Sequence, residues 1–381
     1  MLKISGENRL IRLSKSVLSE IEKDAVKTVL DEGYLGMGTR VKTFENNLSI
    51  LLQRPVTTVV NGTAALHLAL QSCGIGKDDE VLVQSITYLA SFQAISASGA
   101  KPIPCDINLD TFTIDIEDAK KRLTSKTKAI MPVHYGGELG NYKQIYDFAK
   151  EYGLRVIEDA AHAFGTMRNN QIVGSFGDVV CFSFDGIKNI TSGEGGCIVS
   201  EDENVLSYAR DARLLGVKND TENRFQSKRS WEFEVVNQGW RYHMSDIMAA
   251  IGIVQLSRLE EFSKKRRSIA KNYDDKLKEN KLITSLSRNY DEIVPHIYPV
   301  ILSKKIQRKD FQKYLLSKNI QTGIHYQPNH LLELYKKQNY IFLKNTESIY
   351  RNILSLPLHP EITGDDITYI VDVIEGFTNN L

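Results

Sequence analysis

The sequence predicts an α/β protein: a mostly parallel, seven-stranded sheet sandwiched by helices, followed by a smaller α+β C-terminal unit. Three observations carry this. Seven short apolar runs recur between residues 57 and 199, apolar on both faces as strands covered on both sides must be. Helix-like stretches such as Gly62–Ser72 and Asn141–Tyr152 fill gaps between them, and such alternation belongs to α/β sheets. After Ser200 the pattern changes to shorter, mixed elements.

Taken in order, the strand-like runs are residues 57–60, 81–83, 102–105, 129–133, 155–157, 179–182 and 197–199. Right-handed crossovers between parallel strands would align the loops that follow them along one sheet edge, where ligands bind. Residues 201–216 read as helical. Residues 217–239 are polar and aromatic without a period, and irregular stretches of that length are often functional. Ser245 can cap a helix carrying Ile247, Ile251 and Val254 on one face. Lys264, Lys265, Arg266 and Arg267 read as a solvated helix face, with an anionic-ligand patch as the alternative. Further on, His296–Leu302 and Gln321–Tyr326 are strand-like, and Asp310–Lys318, Thr346–Leu354 and Asp365–Gly376 helix-like. The chain divides into a large domain, 1–260, and a small one, 261–381, whose own pattern begins near residue 285.

Composition excludes several classes. With 381 residues, 42% hydrophobic and 25% charged, the chain can bury a large core without disulfides or a structural metal. Its 48 basic and 47 acidic residues leave a net charge of +1, which argues against nucleic acid as the main partner. No run reaches the ~18 apolar residues of a membrane span, and Met1–Asn8 has no signal-peptide core. The four cysteines form no C-x-x-C pair and sit in apolar stretches, so buried free thiols and a cytoplasmic location are expected.

The candidate chemical residues lie at the ends of apolar runs. Asn61–Leu66 joins a strand to a helix start, whose free N–H groups suit an anion, with Gly62 allowing close approach; a plain cap would read the same. Asp159 follows a buried strand, where a carboxylate needs a cationic partner: a metal, an arginine or a protonated ring nitrogen. A metal is disfavoured, since no second acidic or histidine cluster has ligand spacing nearby. Ser183 ends another strand, Lys188 follows five residues on, and Gly193, Gly195 and Gly196 make a turn into the next strand. A lysine between buried strands would be desolvated, which lowers its pKa and favours Schiff-base chemistry; a surface loop lysine is the alternative. Together, an anion site, a buried carboxylate and a lysine in this order are what pyridoxal 5'-phosphate requires.

The chain resembles the DegT/DnrJ/EryC1/StrS family of sugar aminotransferases, which have the fold type I architecture of aspartate aminotransferase. The resemblance runs over nearly the whole length. It is carried by Asn61–Leu66, Ser85–Ser91, Pro132–Gly136, Glu158–His162, Phe182–Phe184 with Lys188 and Asn189, Gly193–Gly196, Met244–Ile247 and Leu354–His359. It implies that Lys188 is the Schiff-base lysine and general base, and that Asp159 partners the pyridinium nitrogen. Gly62, Thr63 and Ser183 match phosphate ligands, Tyr88 the aromatic stacked on the ring, and His162 the residue near its other side. His134, His325 and Tyr326 match the sugar pocket. Where the family often has a histidine after Phe-Ser-Phe, this chain has Asp185, a candidate for substrate contact. Where the family usually places an asparagine that reaches the phosphate of the neighbouring subunit, this chain has Arg241.

The resemblance further implies a homodimer with shared active sites. The reaction it implies is amination of a nucleotide-linked 4-keto-6-deoxyhexose, as its dTDP form, with glutamate as donor, for surface polysaccharide such as O-antigen. Lys218, Arg224, Lys228 and Arg229 are candidates for the diphosphate. Amination at C3 and a non-catalytic regulatory protein on the same fold are the alternatives. Intact Lys188, Asp159 and Ser183 speak against the second.

Overall fold

The computed structural model describes residues 9–226, 228, 231–337 and 341–379. Arg229 and the Met1–Asn8 segment therefore lie outside the described residues.

All seven apolar runs are strands of one sheet: β1 (Val56–Val59), β2 (Glu80–Gln84), β3 (Lys101–Cys105), β4 (Thr127–Met131), β5 (Arg155–Asp159), β8 (Val179–Ser183) and β9 (Gly196–Ser200). A two-residue ribbon, β6 (Met167–Arg168) with β7 (Gln171–Ile172), lies between the last three in sequence. The spatial order is β1-β9-β8-β5-β4-β2-β3. Pairing is parallel from β8 through β5, β4 and β2 to β3, and β9 runs antiparallel to both neighbours. Every residue of β1, β8 and β9 is buried, which explains why the runs are apolar without alternation.

The reversal at β9 positions the site. The loop between β8 and β9 begins and ends at the sheet edge where β5 terminates, and Ser183 faces Gly196 in the register. β1 ends beside the start of β9, Val59 opposite Gly196. A Cβ on Gly196 would come within 2.6 Å of the Asn61 carbonyl group, so only glycine lets the two segments meet. The helix Gly62–Ser72 starts at that point, capped by the Asn61 side chain, which accepts from Ala64 N–H at 2.9 Å.

The smaller unit is an antiparallel sheet, β10 (Ile283–Ser285), β11 (Tyr298–Leu302) and β12 (Ile353–Leu356), with β11 central. The helices Leu259–Leu277, Arg308–Ser317 and Gly364–Thr378 supply the rest of its core, through Tyr273, Phe311 and Ile370 among others. Residue 260 falls at the start of the first of these helices. The N-terminal segment also packs here: Ile11 joins this core and bridges Ile320.

Four local expectations differ from the structure. Gln321–Tyr326 makes only a single bridge, Gly323 to Ser355, in place of a strand. Thr346–Leu354 is helical only to Asn352, and Ile353 and Leu354 belong to β12. Residues 217–239 include one short helix, Asp220–Phe225. The helix Asp246–Ser257 is capped by Ser245 as expected, but its fully buried side chains are Asp246, Ala249, Ala250 and Gln255. Ile247, Ile251 and Val254 are only half-buried. Gly252 explains the rotation, because a Cβ there would lie 2.7 Å from the Phe44 ring and the close approach fixes the packed face. Cys105, Cys181 and Cys197 are buried free thiols, and Cys73 is half-buried. Among the described residues no helix is long and apolar enough to cross a membrane.

Candidate active site

A cavity of about 360 Å³ opens at the edge where β1, β5 and β8 end. That volume lies in the usual range for small-molecule sites. Its floor comes from the large sheet, and His296, His325 and Tyr326 of the smaller unit close one side.

The anion end is built by contact between Gly62 and Ser183. The first rung of the helix, Ala65 N–H to Asn61 O, leaves the N–H groups of Gly62 and Thr63 outside the helical ladder. A Cβ on Gly62 would stand 2.7 Å from Ser183 Cβ. Glycine is what lets the helix start and the serine hydroxyl share one cradle, as an oxyanion group needs.

Asp159 ends β5 and is 5% exposed. Its Oδ2 accepts from Ser91 Oγ at 2.7 Å and its Oδ1 from Ala161 N–H at 3.2 Å. Among the described residues no cation pairs with it. A carboxylate so placed calls for a cationic group in the cavity, and a protonated ring nitrogen fits. Lys188 lines the same cavity, half-buried. Removal from water pushes its amine down to about 8; Asp159 and Asp185 pull against that shift and Arg266 adds to it. Cradle, unpaired carboxylate and softened lysine together fit pyridoxal phosphate.

Three imidazoles border the cavity. Burial, with the Lys188 charge, holds His162 and His296 well below their ordinary pKa and His325 near 4, so all three are neutral at pH 7. His162 Nδ1 accepts from Gly136 N–H at 3.3 Å. Its proton is therefore on Nε2, which donates to Tyr326 Oη at 2.9 Å. The Tyr326 hydroxyl proton is then free to donate into the cavity. His325 Nδ1 lies 2.8 Å from Ser355 Oγ. Tyr88, 61% exposed, stands at the mouth with its ring 5.7 Å from that of Tyr326. Asp185 lines the cavity beside the lysine.

Five expected residues are elsewhere. His134 does not line the cavity: its Nε2 is 2.7 Å from Glu158 Oε2, and both side chains are buried. The reason is strand alternation. Val133 bridges Asp159 and faces the cavity with it, so their chain neighbours His134 and Glu158 point to the opposite face. There Glu158 also accepts from the Tyr142 and Tyr146 hydroxyls. Arg241 is exposed and borders a second cavity of about 150 Å³, with Asp220, Arg224, Phe233 and His243. Lys218 and Lys228 are also exposed, and Arg224 is bonded to Asp220 at 2.7 Å. None of these lines the first cavity of its own chain.

The structure adds residues that sequence reasoning missed. Ser91 sits at the end of the quoted Ser85–Ser91 motif, and its bond to Asp159 is the only sign of its use. The His296 ring packs tilted against that of His162, 4.4 Å between centroids; its place at the head of the His296–Leu302 run was the available signal.

Comparison with known proteins follows the same lines. The profile of the DegT/DnrJ/EryC1/StrS aminotransferase family matches residues 17–375. The spore coat polysaccharide biosynthesis protein SpsC of Bacillus subtilis is 33% identical over 97% of this chain and 98% of its own. The solved structure of Helicobacter pylori PseC, an aminotransferase involved in the biosynthesis of pseudoaminic acid, superposes with a TM-score of 0.90. It is 27% identical, over 98% of this chain and all of that one. The sugar aminotransferase CalS13 of Micromonospora echinospora gives a TM-score of 0.87 at 26% identity, over 96% of this chain and all of that one.

Proposed function

The chain belongs to the DegT/DnrJ/EryC1/StrS family of pyridoxal-phosphate-dependent sugar aminotransferases, and from that premise we propose its substrate and the roles of its residues. The acceptor is a nucleotide-linked 4-keto-6-deoxyhexose, as the dTDP sugar, and glutamate is the amino donor. The product is the 4-amino sugar nucleotide, used for surface polysaccharide such as O-antigen.

The observation that carries the sugar reading is the wall chemistry. Beyond the residues assigned to the cofactor, the cavity presents the neutral imidazoles of His296 and His325, the Tyr326 hydroxyl and the carboxyl groups of Asp185 and Glu194, and among the described residues no arginine lines it. Neutral donors and aromatic faces suit a hydroxyl-bearing ring. A site dedicated to small keto acids needs an arginine clamp on their carboxylate within the pocket; here the carboxylates of glutamate would be met by a cation from outside this lining. SpsC, by its name, belongs to polysaccharide biosynthesis, which agrees with the proposed pathway class.

Gly62, Thr63 and Ser183 bind the phosphate, and the Asp159 carboxylate keeps a proton on the ring nitrogen. When bound, pyridoxal phosphate supplies an aldehyde for covalent capture of amines and a ring that accepts the electron pair left when a proton departs. Lys188 Nζ holds the cofactor between turnovers. Once displaced, its neutral amine would take the proton from the donor's α-carbon and return it to the former aldehyde carbon on the other side of the nitrogen. Its lowered pKa leaves a useful neutral fraction near pH 8 for that work. Tyr326 Oη donates to an oxygen of the sugar, held in that sense by His162. Arg241 reaches the phosphate of a second copy's site in a homodimer, and Lys218, Arg224 and Lys228 flank the diphosphate.

The test is kcat/KM for a dTDP-4-keto-6-deoxyhexose against pyruvate or oxaloacetate. A preference of at least ~10³, about 4 kcal/mol, is expected. Equal use of the small keto acids would defeat the sugar reading while leaving the cofactor residues standing.

A further inference from the structure

The run Lys264–Arg267 contains a residue that is not on the surface. Lys264 and Lys265 are exposed, but Arg266 is 2% exposed. Its Nη1 donates to the carbonyls of His296 at 3.2 Å and of Pro295 and Leu358 at 3.5 Å. Its Nη2 donates to the carbonyls of Lys188 at 3.4 Å and Ile187 at 3.5 Å. Most of these are longer than an ordinary hydrogen bond, so no single one is strong. Nε has no partner, and no carboxylate pairs with the group among the described residues.

Arg213 is just as buried and shows the usual solution: its Nη1 meets the Glu45 carboxylate at 2.5 Å. An unpaired buried cation is costly, and Arg266 carries that cost at one place, beneath the backbone of Lys188. It joins three segments: the lysine loop, the cavity wall at His296, and the turn at Leu358.

We propose that Arg266 is a positioning residue for Lys188: its guanidinium staples the carbonyls of Ile187 and Lys188 to the cavity wall and keeps a fixed positive charge against the lysine. The staple sets the backbone from which the lysine side chain springs. The charge favours the neutral amine, the form that attacks an aldehyde. The other groups facing Lys188 are the carboxylates of Asp159 and Asp185 and the neutral rings of His162, His296 and His325. Arg266 itself faces Lys188, His296 and His359. The role rests on Lys188 being the cofactor lysine.

The experiment uses full-length, cofactor-free protein and two probes. Pyridoxal phosphate reports covalent capture by its absorbance change, followed against pH. Pyridoxamine phosphate, which has no aldehyde, reports the phosphate cradle and Asp159 alone. Arg266→Met should slow aldehyde capture near neutral pH by at least ~10-fold and raise the pH midpoint of capture, since a repelling charge is gone. Its Kd for pyridoxamine phosphate should stay within ~2-fold of wild type. Arg266→Lys keeps the charge without the fan of donors, so the midpoint should hold while capture slows by ~3-fold. Equal weakening toward both probes would make Arg266 a purely structural residue, and unchanged capture would leave it without a role; either overturns the proposal. If Arg266→Met does not fold, the same reading is made on Arg266→Lys alone: selective slowing of capture supports the staple, and loss toward both probes or neither overturns it. Covalent capture by Lys188→Ala protein would defeat the lysine assignment itself, a separate outcome.

Discussion

The floor of the cavity and the 214–243 segment are both expected to serve one active site, and they are built in opposite ways. The strand ends of the floor are buried and hydrogen-bonded. Asp159 is fixed by Ser91 and Ala161, and the lysine loop is closed by Phe184 N–H to Gly195 O at 2.7 Å. Among the described residues of 214–243, several large apolar side chains are open to solvent: Trp231 is 84% exposed, Val236 69% and Phe233 59%, and Arg241 borders a separate cavity. One chain can preorganise the covalent and electronic parts of the chemistry. The exposed apolar side chains, and an arginine that does not reach its own chain's cavity, suit completion by a second copy.

The sharpest way to break this contrast is on the floor. Lys188→Ala should lower transamination by at least ~10³, because no neighbour both holds the cofactor and moves the proton. The measurement is turnover with glutamate and a keto-sugar nucleotide; retention within about tenfold of wild type would remove the lysine from the chemistry. Asp159→Asn comes next, at ~10²-fold or more, since an amide cannot hold the ring proton by charge. It should still take up cofactor, read by absorbance; wild-type turnover would make Asp159 structural.

The open segment predicts a different pattern. Arg241→Ala should lose about tenfold in cofactor affinity. Mixed with Lys188→Ala chains and reassorted, the heterodimer has one site with both defects and one with neither. Activity should recover toward half of wild type. No recovery, with reassortment proven by mass, would place Arg241 in its own chain's service or in none. The smallest effect should come from Ser91→Ala, which removes one hydrogen bond from Asp159 and should cost ~3- to 10-fold in turnover at unchanged phosphate affinity. An unchanged rate would show that Ala161 N–H alone orients the carboxylate.

The same contrast explains what was legible in the sequence. The seven strands were readable because helices cover both faces and leave uninterrupted apolar runs. The candidate cofactor residues could be read as a group because strand ends bring them to one cavity: Ser183 ends β8, Lys188 lies on the loop after it, and Asp159 ends the neighbouring strand. His134 misled because a two-residue period decides which side of a sheet a residue serves, and the letters around it do not mark the phase. Arg266 misled for a helical reason. Four consecutive residues sweep about 300° of a helix, so a helix packed on a core cannot solvate all of them. Gln321–Tyr326 has strand-like composition, but its backbone meets β12 only at Gly323. Ser91 needed tertiary proximity across 68 positions, which no local pattern carries.

The most direct measurement is reductive trapping. The holoenzyme is treated with borohydride, digested, and the lysine carrying the pyridoxyl group is located by mass spectrometry. The tag should fall on the peptide containing Lys188, and glutamate added before the reductant should prevent it by drawing the cofactor off the lysine. A tag on another lysine, or labelling of Lys188 that glutamate does not prevent, would contradict the assignment of this cavity as the aminotransferase site.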